Sequence, residues 1–282
     1  MEEDVVSPEL VHKLEEKALE LREHIVKDLI GVGKVGHLGG SSSCAEIVAT
    51  LYFHKMKIDP KNPAMEGRDR FLLSKGHAAL VQYAALAMAG YFPKEELKKV
   101  KSLGGMLQGH PDMTRTPGVE ANTGSLGQGL SVANGMGLGL RLDGKKSKVY
   151  VLLGDGELAE GQIWEAAMAA ACYKLDNVVA NLDRNKVQAT GPIAERLDTG
   201  DVPAKWRAFG WNVIEIDGHD PAAILEALEQ ADTVKGKPTI LIANTVKGKY
   251  ISFAEHNAAF HNGSMTAEQY EIAVSDLKKL RK

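Results

Sequence analysis

Cysteine is nearly missing: two residues in 282, Cys44 and Cys172. Both lie in helical, small-residue contexts, so they read as buried thiols, not as ligands or a disulfide. No apolar run reaches the length of a membrane-spanning helix. No charged, apolar leader opens the chain, whose residues 1–4 are largely acidic. A cytoplasmic protein without a membrane partner is therefore expected. Basic excess is absent too, with 34 Lys and Arg against 37 Asp and Glu and a net charge of −3. With no basic stripe, nucleic acid is not an expected partner. Internal repeats, low-complexity linkers and composition breaks are lacking, so residues 1–282 read as one domain.

What is present is apolar residues, 44% of the chain and ample for a large core, and 29 scattered glycines, which suit tight strand–helix turns. Residues 149–191 organise the rest. A short apolar run, 149–153, fits a strand buried on both faces. Gly154-Asp155-Gly156 breaks it. A helix is expected from 157 to about 173, with Ile163, Trp164, Ala167, Met168 and Ala171 at three- and four-residue steps. A second apolar run, 178–182, ends in Asp183-Arg184-Asn185. This is a βαβ unit with polar groups at the carboxyl ends of both strands, the edge where open parallel sheets bind ligands. Gly156 can admit a phosphate at a helix N-terminus. Asp155 and Asn185 offer hard oxygen ligands of the kind Mg²⁺ prefers. Gly-Asp-Gly alone also makes ordinary turns.

Around this unit strands alternate with helices, giving a doubly wound α/β fold: a mainly parallel sheet with helices on both faces. Residues 8–29 read as a helix capped by Ser7, with Leu10, Leu14, Ala18, Leu21, Ile25 and Leu29 on one face. Ser43 is placed to cap the next helix, 44 to about 55. Residues 70–73 form a possible strand before a small-residue helix, 78–89, and residues 93–100 a short charged helix. A glycine-rich loop, 123–129, precedes a helix from 130 to about 142. Residues 211–216 read as a third buried strand, 221–233 as a helix, 239–243 as a fourth strand and 267–282 as a charged terminal helix.

Four of the nine histidines stand out in loops: His37, His77 and His110 each follow a glycine, and His261 lies two residues before one. Any one alone is as well explained by a solvent or structural role. Together with the Gly-Asp-Gly unit they suit hydroxyl recognition and proton transfer near neutral pH. None shows the short spacing of a zinc site. His256 reads as surface.

Gly154-Asp155-Gly156 followed about thirty residues later by Asn185 resembles the thiamine diphosphate motif, and residues 151–161 and 182–191 look most like transketolase. Gly36-His37-Leu38-Gly39, Ser74-Lys75-Gly76-His77, Gly109-His110-Pro111, Thr123-Gly124-Ser125-Leu126-Gly127-Gln128-Gly129, Asn244-Thr245-Val246-Lys247-Gly248 and Phe260-His261-Asn262-Gly263 extend the likeness over nearly the whole chain. Ser125 and Arg184 depart from common family residues, but neither removes a ligand. The resemblance implies the thiamine-diphosphate-binding fold and a two-carbon ketol transfer between sugar phosphates. It implies that Asp155, Asn185 and the Val187 carbonyl hold Mg²⁺. Gly156, His77 and His261 would bind the diphosphate, and Gly124, Ser125 and Leu126 the middle of the cofactor. His37 and His261 would move protons, His110 would face the donor substrate, and Glu160 would lie between the two sites of a dimer. The chain holds no second βαβ set for a pyrimidine-binding domain. A partner chain carrying that domain and a C-terminal one is expected, in a dimer of heterodimers.

Competing expectations are the alpha component of a 2-oxo acid dehydrogenase, a 1-deoxyxylulose-phosphate synthase-like half, a transketolase-like enzyme for unusual sugars, or a non-catalytic phosphate-binding module. The histidine motifs favour the transketolase side over the dehydrogenase.

Overall fold

The structure, a computed structural model, describes residues 6–281. The acidic start at 1–4 and Lys282 lie outside the described residues. The strands are β1 (Arg70–Leu73), β2 (Val149–Gly154), β3 (Val178–Arg184), β4 (Val187–Gln188), β5 (Gly191–Pro192), β6 (Asn212–Asp217) and β7 (Thr239–Asn244). The α-helices are α1 (Pro8–His24), α2 (Leu38–Ser42), α3 (Ala45–Thr50), α4 (Ala79–Ala89), α5 (Gly129–Leu142), α6 (Gly161–Cys172), α7 (Ile193–Arg196), α8 (Val202–Ala208), α9 (Pro221–Thr233) and α10 (Ala267–Lys279).

Five strands form one sheet in the order β1-β2-β3-β7-β6, every pair parallel. Alternation of side chains then divides the apolar residues between two cores. Tyr150, Leu152, Val179 and Leu241 face the core shared with α1, α3, α4, α9 and α10. Val149, Val151, Leu153, Val178 and Ile240 face the core shared with α5, α6 and α8. This is the expected doubly wound α/β architecture, with β2 and β3 buried on both faces.

Local signals set the helix starts. Ser7 Oγ accepts from Leu10 N at 3.2 Å ahead of Pro8, and Asp220 accepts from Ala222 N at 2.9 Å ahead of Pro221. Thr266 and Gln269 close a reciprocal capping box on α10.

Several expectations need correction. The helix after Gly-Asp-Gly does not run on from Glu157: residues Gly156–Ala159 make a 3₁₀ turn, Glu160 turns extended, and α6 starts at Gly161. Gly156 thus opens a four-residue turn, not a long helix. Ser43 does not cap α3, whose N-cap is Cys44; it closes α2, and its hydroxyl donates to Asp183 at 2.6 Å. The glycine-rich stretch after His37 is helical, as α2. The charged segment after Pro93 is a 3₁₀ turn, Lys94–Lys99. Cys44 is buried but Cys172 is exposed. The strand after Trp211 lies at the sheet edge, half exposed rather than buried. The β4–β5 hairpin has no counterpart among the sequence expectations. Among the described residues, no helix is long and apolar enough to cross a membrane.

Candidate functional site

At the carboxyl edge of β2 and β3, Gly154 lies beside Asp183 in register. Asp155 and Asn185 therefore leave the sheet as neighbours. Asp155, 5% exposed, accepts from Gly156 N at 2.8 Å and from Lys186 N, between Asn185 and Val187. Asn185 Oδ1 accepts from Val187 N at 3.1 Å, and its Nδ2 donates to Asp183 at 3.0 Å. The Lys186 N bond draws the Asp155 carboxylate to the Asn185–Val187 turn, which brings an amide oxygen and the Val187 carbonyl. That donor set is all oxygen, the chemistry of a Mg²⁺ site. Burial, then the Asp183 charge, pushes the Asp155 carboxyl up to about 6, so it favours a cation beside it.

These four histidines converge. Ring centroids are 5.3 Å apart for His37 and His77, 6.0 Å for His37 and His110, 5.5 Å for His37 and His261, and 4.9 Å for His77 and His261. Backbone pairing accounts for this. Gly36 and Gly263 exchange two hydrogen bonds, of 2.9 and 3.1 Å, which sets His37 beside His261. Thr123 N donates to Pro111 O at 3.4 Å, and Tyr83 hydroxyl donates to His110 O at 2.9 Å. Gly76 carries His77 against the 123–129 loop so closely that a Cβ there would lie 2.6 Å from Gly124 N. Gly124, at φ +148°, lies against the His110 ring. Ser125 is exposed, and Leu126 half-buried, on the same loop. Glu160 is exposed and packs on Gly127, outside the histidine cluster. His256 is exposed, as expected.

Three residues in the site carried no role in the sequence reading. Lys247, 2% exposed, donates to Val187 O at 2.8 Å and to His261 Nδ1 at 3.1 Å. Burial, then repulsion from Lys75, lowers its ammonium to about 8. Lys75, 1% exposed, pairs with Asp183 and donates to Gly40 O at 2.7 Å. Glu157 accepts from Gly127 N at 2.8 Å, Gly154 N at 3.1 Å and the Ser74 hydroxyl, tying three site loops together. The visible signals were the lysines inside the Ser74–His77 and Asn244–Gly248 stretches.

Burial first, then neighbouring positive charge, holds the histidines neutral: His37 down to about 3, His77 to about 2 and His261 to about 4, with His110 also lowered. Lys247 and Lys75 supply much of that charge, Lys247 ahead of Lys75 at His261 and the reverse at His77. A field that disfavours imidazolium favours an anion, so the cradle fits a diphosphate. The sign for stability follows. Each folded value lies below the ordinary 6.5, so the unfolded chain binds more protons between that value and the folded one. Stability is present above pH 6.5 and is lost on acidification. Urea-unfolding midpoints of the ligand-free chain should fall steeply from about pH 6.5 to pH 4. His77→Asn should flatten that limb; an unchanged slope would contradict it.

Known proteins resemble this chain over nearly its whole length. The transketolase thiamine diphosphate binding domain matches residues 15–278. The 6-deoxy-6-sulfo-D-fructose transketolase subunit SqwG of Clostridium sp. strain MSTE9 is 47% identical over 266 residues, covering 94% of this chain and 96% of that protein. An apulose-4-phosphate transketolase subunit of Phocaeicola vulgatus is 41% identical, covering 95% of each. A transketolase structure from Pichia stipitis superposes with a TM-score of 0.88 at 32% identity, and one from Campylobacter jejuni with 0.86 at 31%. The chain covers 94% and 97% of itself in these matches but only 40% and 43% of those longer chains. This protein belongs to the transketolase family and spans its thiamine diphosphate binding domain.

Proposed function

We propose that the chain is the N-terminal subunit of a two-chain transketolase that moves a two-carbon ketol unit from a ketose phosphate to an aldose phosphate. The observation that carries this is the meeting of four neutral histidines with Asp155, Asn185 and the Val187 carbonyl at one sheet edge. Residues 1–282 form one cofactor-binding domain in this reading. Asp155, Asn185 and Val187 O hold Mg²⁺; Gly156, His77, His261 and Lys247 hold the diphosphate; Gly124, Ser125 and Leu126 support the cofactor's centre. When bound, thiamine diphosphate supplies the carbon nucleophile and electron sink that carbon–carbon cleavage requires. His37, neutral, takes and returns a hydroxyl proton at a ring nitrogen, while His261, whose Nδ1 accepts from Lys247, assists the transfer as an Nε2–H donor. His110, at the exposed rim, orients donor hydroxyls.

A partner chain with the pyrimidine-binding and C-terminal domains is supported by relatives of this length being named subunits. A dimer of heterodimers is supported by Val132 on α5 and Met168 on α6, both exposed apolar side chains. We place the assembly in the cytoplasm, acting on sugars of the pentose phosphate pathway. A second reading, favoured by the names of these relatives, is an unusual donor such as a sulfonated or branched sugar. Titration of thiamine diphosphate and Mg²⁺ into the chain mixed with such a partner should give saturable heat and ketol transfer. No binding, or full turnover by the purified chain alone, overturns the proposal.

A further inference from the structure

Lys247 reaches the site from the loop at residues 244–251, and a cluster outside the site grips that loop. Arg22 on α1 is 1% exposed. Its two terminal nitrogens donate to Glu46 on α3 at 2.6 and 2.7 Å, and one also donates to the Ser42 carbonyl of α2 at 2.8 Å. Burial would raise the Glu46 carboxyl, but Arg22 and a hydrogen bond from His219 hold it down to about 2. Glu46 is therefore a fixed anion. It accepts from His219 Nδ1 at 3.1 Å, and this bond decides the tautomer. With the proton on Nδ1, Nε2 is free to accept, and it takes the Val246 N–H at 2.8 Å. Gly218 lets the His219 turn lie on β7, since a Cβ there would meet Thr245 Cγ2 at 2.4 Å.

A second arm holds the other flank. Tyr250 sits at φ +68°, a left-handed conformation that a bulky residue seldom adopts. Its ring lies 4.9 Å from the Arg22 guanidinium, and its N–H donates to Glu255 at 2.9 Å. Between these flanks Gly248 N donates to Gly39 O at 3.0 Å. The long, flexible lysine side chain thus leaves from a backbone fixed on both sides.

We propose that Arg22, Glu46, His219 and Tyr250 are positioning residues that set the Lys247 ammonium against the Val187 carbonyl and His261. None of the four needs to touch cofactor or substrate. The inference rests on the reading of Lys247 as a diphosphate contact.

His219 borders a cavity of about 300 Å³, so His219→Leu removes the acceptor without overpacking. His219→Gln keeps a carbonyl able to accept from Val246. Hydrogen exchange on the full chain should show the Val246 and Gly248 amides exchanging about tenfold faster in His219→Leu, with the sheet unchanged. Thiamine diphosphate with Mg²⁺, titrated into the chain and its partner, should bind about tenfold more weakly, with His219→Gln restoring most of the loss. On a Lys247→Met background, His219→Leu should cost nothing further. An affinity loss of equal size on that background, or exchange raised across the whole sheet, overturns the proposal. Loop exchange unchanged by His219→Leu overturns it alone, whereas a native complex that binds no thiamine diphosphate overturns the functional reading beneath it.

Discussion

A chain carrying Asp155→Asn should keep its fold and lose Mg²⁺-supported binding of thiamine diphosphate by about a hundredfold or more, the upper range for disturbing a metal site's supporting shell. Asp155 is the only carboxylate of the three proposed ligands. The other two, Asn185 Oδ1 and the Val187 carbonyl, carry no charge. Without Asp155 a divalent ion would meet only neutral dipoles, with Lys247 2.8 Å from one of them. The stability change should stay small, because two effects oppose. Asparagine puts an NH₂ where one of two backbone N–H groups, of Gly156 and Lys186, now finds an acceptor. It also removes a buried charge that lies beside Asp183. Each effect is about 1–3 kcal/mol, so the sum should lie within about 2 kcal/mol of zero. Calorimetric titrations with and without Mg²⁺, beside thermal melts, check both halves. A loss below tenfold with Mg²⁺ dependence intact would place the cation elsewhere.

The largest stability effect should come from Lys75→Met. Lys75 and Asp183 are 1% and 0% exposed and form an ion pair beneath the site. Removing one partner of a buried pair costs about 3–5 kcal/mol, because the other charge stays buried and unpaired. Asp183 cannot turn to water, since it also accepts from Ser43, Thr245 and Asn185. Adding Asp183→Asn to Lys75→Met should therefore restore stability, although it is a second lesion. The amide oxygen still accepts from a hydroxyl and no charge remains. Denaturant midpoints of the two single variants and the double variant form the test cycle. A double variant less stable than Lys75→Met would show that hydrogen bonding, not charge, dominates.

Periodicity made β2, β3, β7 and the major helices legible, because strands buried on both faces read as unbroken apolar runs. The four histidines were legible through their glycine neighbours, since glycine beside a polar ring marks a loop that must approach something. Glu157, Lys75 and Lys247 were not. Charged side chains are ordinarily solvated, and nothing local to Ser74-Lys75-Gly76 announces a partner on β3. Their burial is a product of tertiary convergence. The edge position of β6 was hidden for a related reason: Asn212–Asp217 borders one neighbour or two depending on sheet order, which hydropathy does not encode. The β4–β5 hairpin has two residues per strand, too few for any period. The break at Glu160 falls inside an apolar pattern that fits a helix on either side of it.

The strand order has a consequence for how the chain reaches this state. β6 is made before β7 yet pairs with β7 alone, and β7 enters between β3 and β6. During synthesis β6 must wait, its ladder unmatched, until the chain beyond Thr239 has emerged. Long-separated parallel pairings, such as Arg70 opposite Val149 and Val179 opposite Thr239, close slowly. The arrival of β7 then brings in β6, His219 and the Lys247 loop in one late step. Slow refolding is expected to end with the lysine side of the site, while the Asp155 side, built on β2 and β3, is already formed.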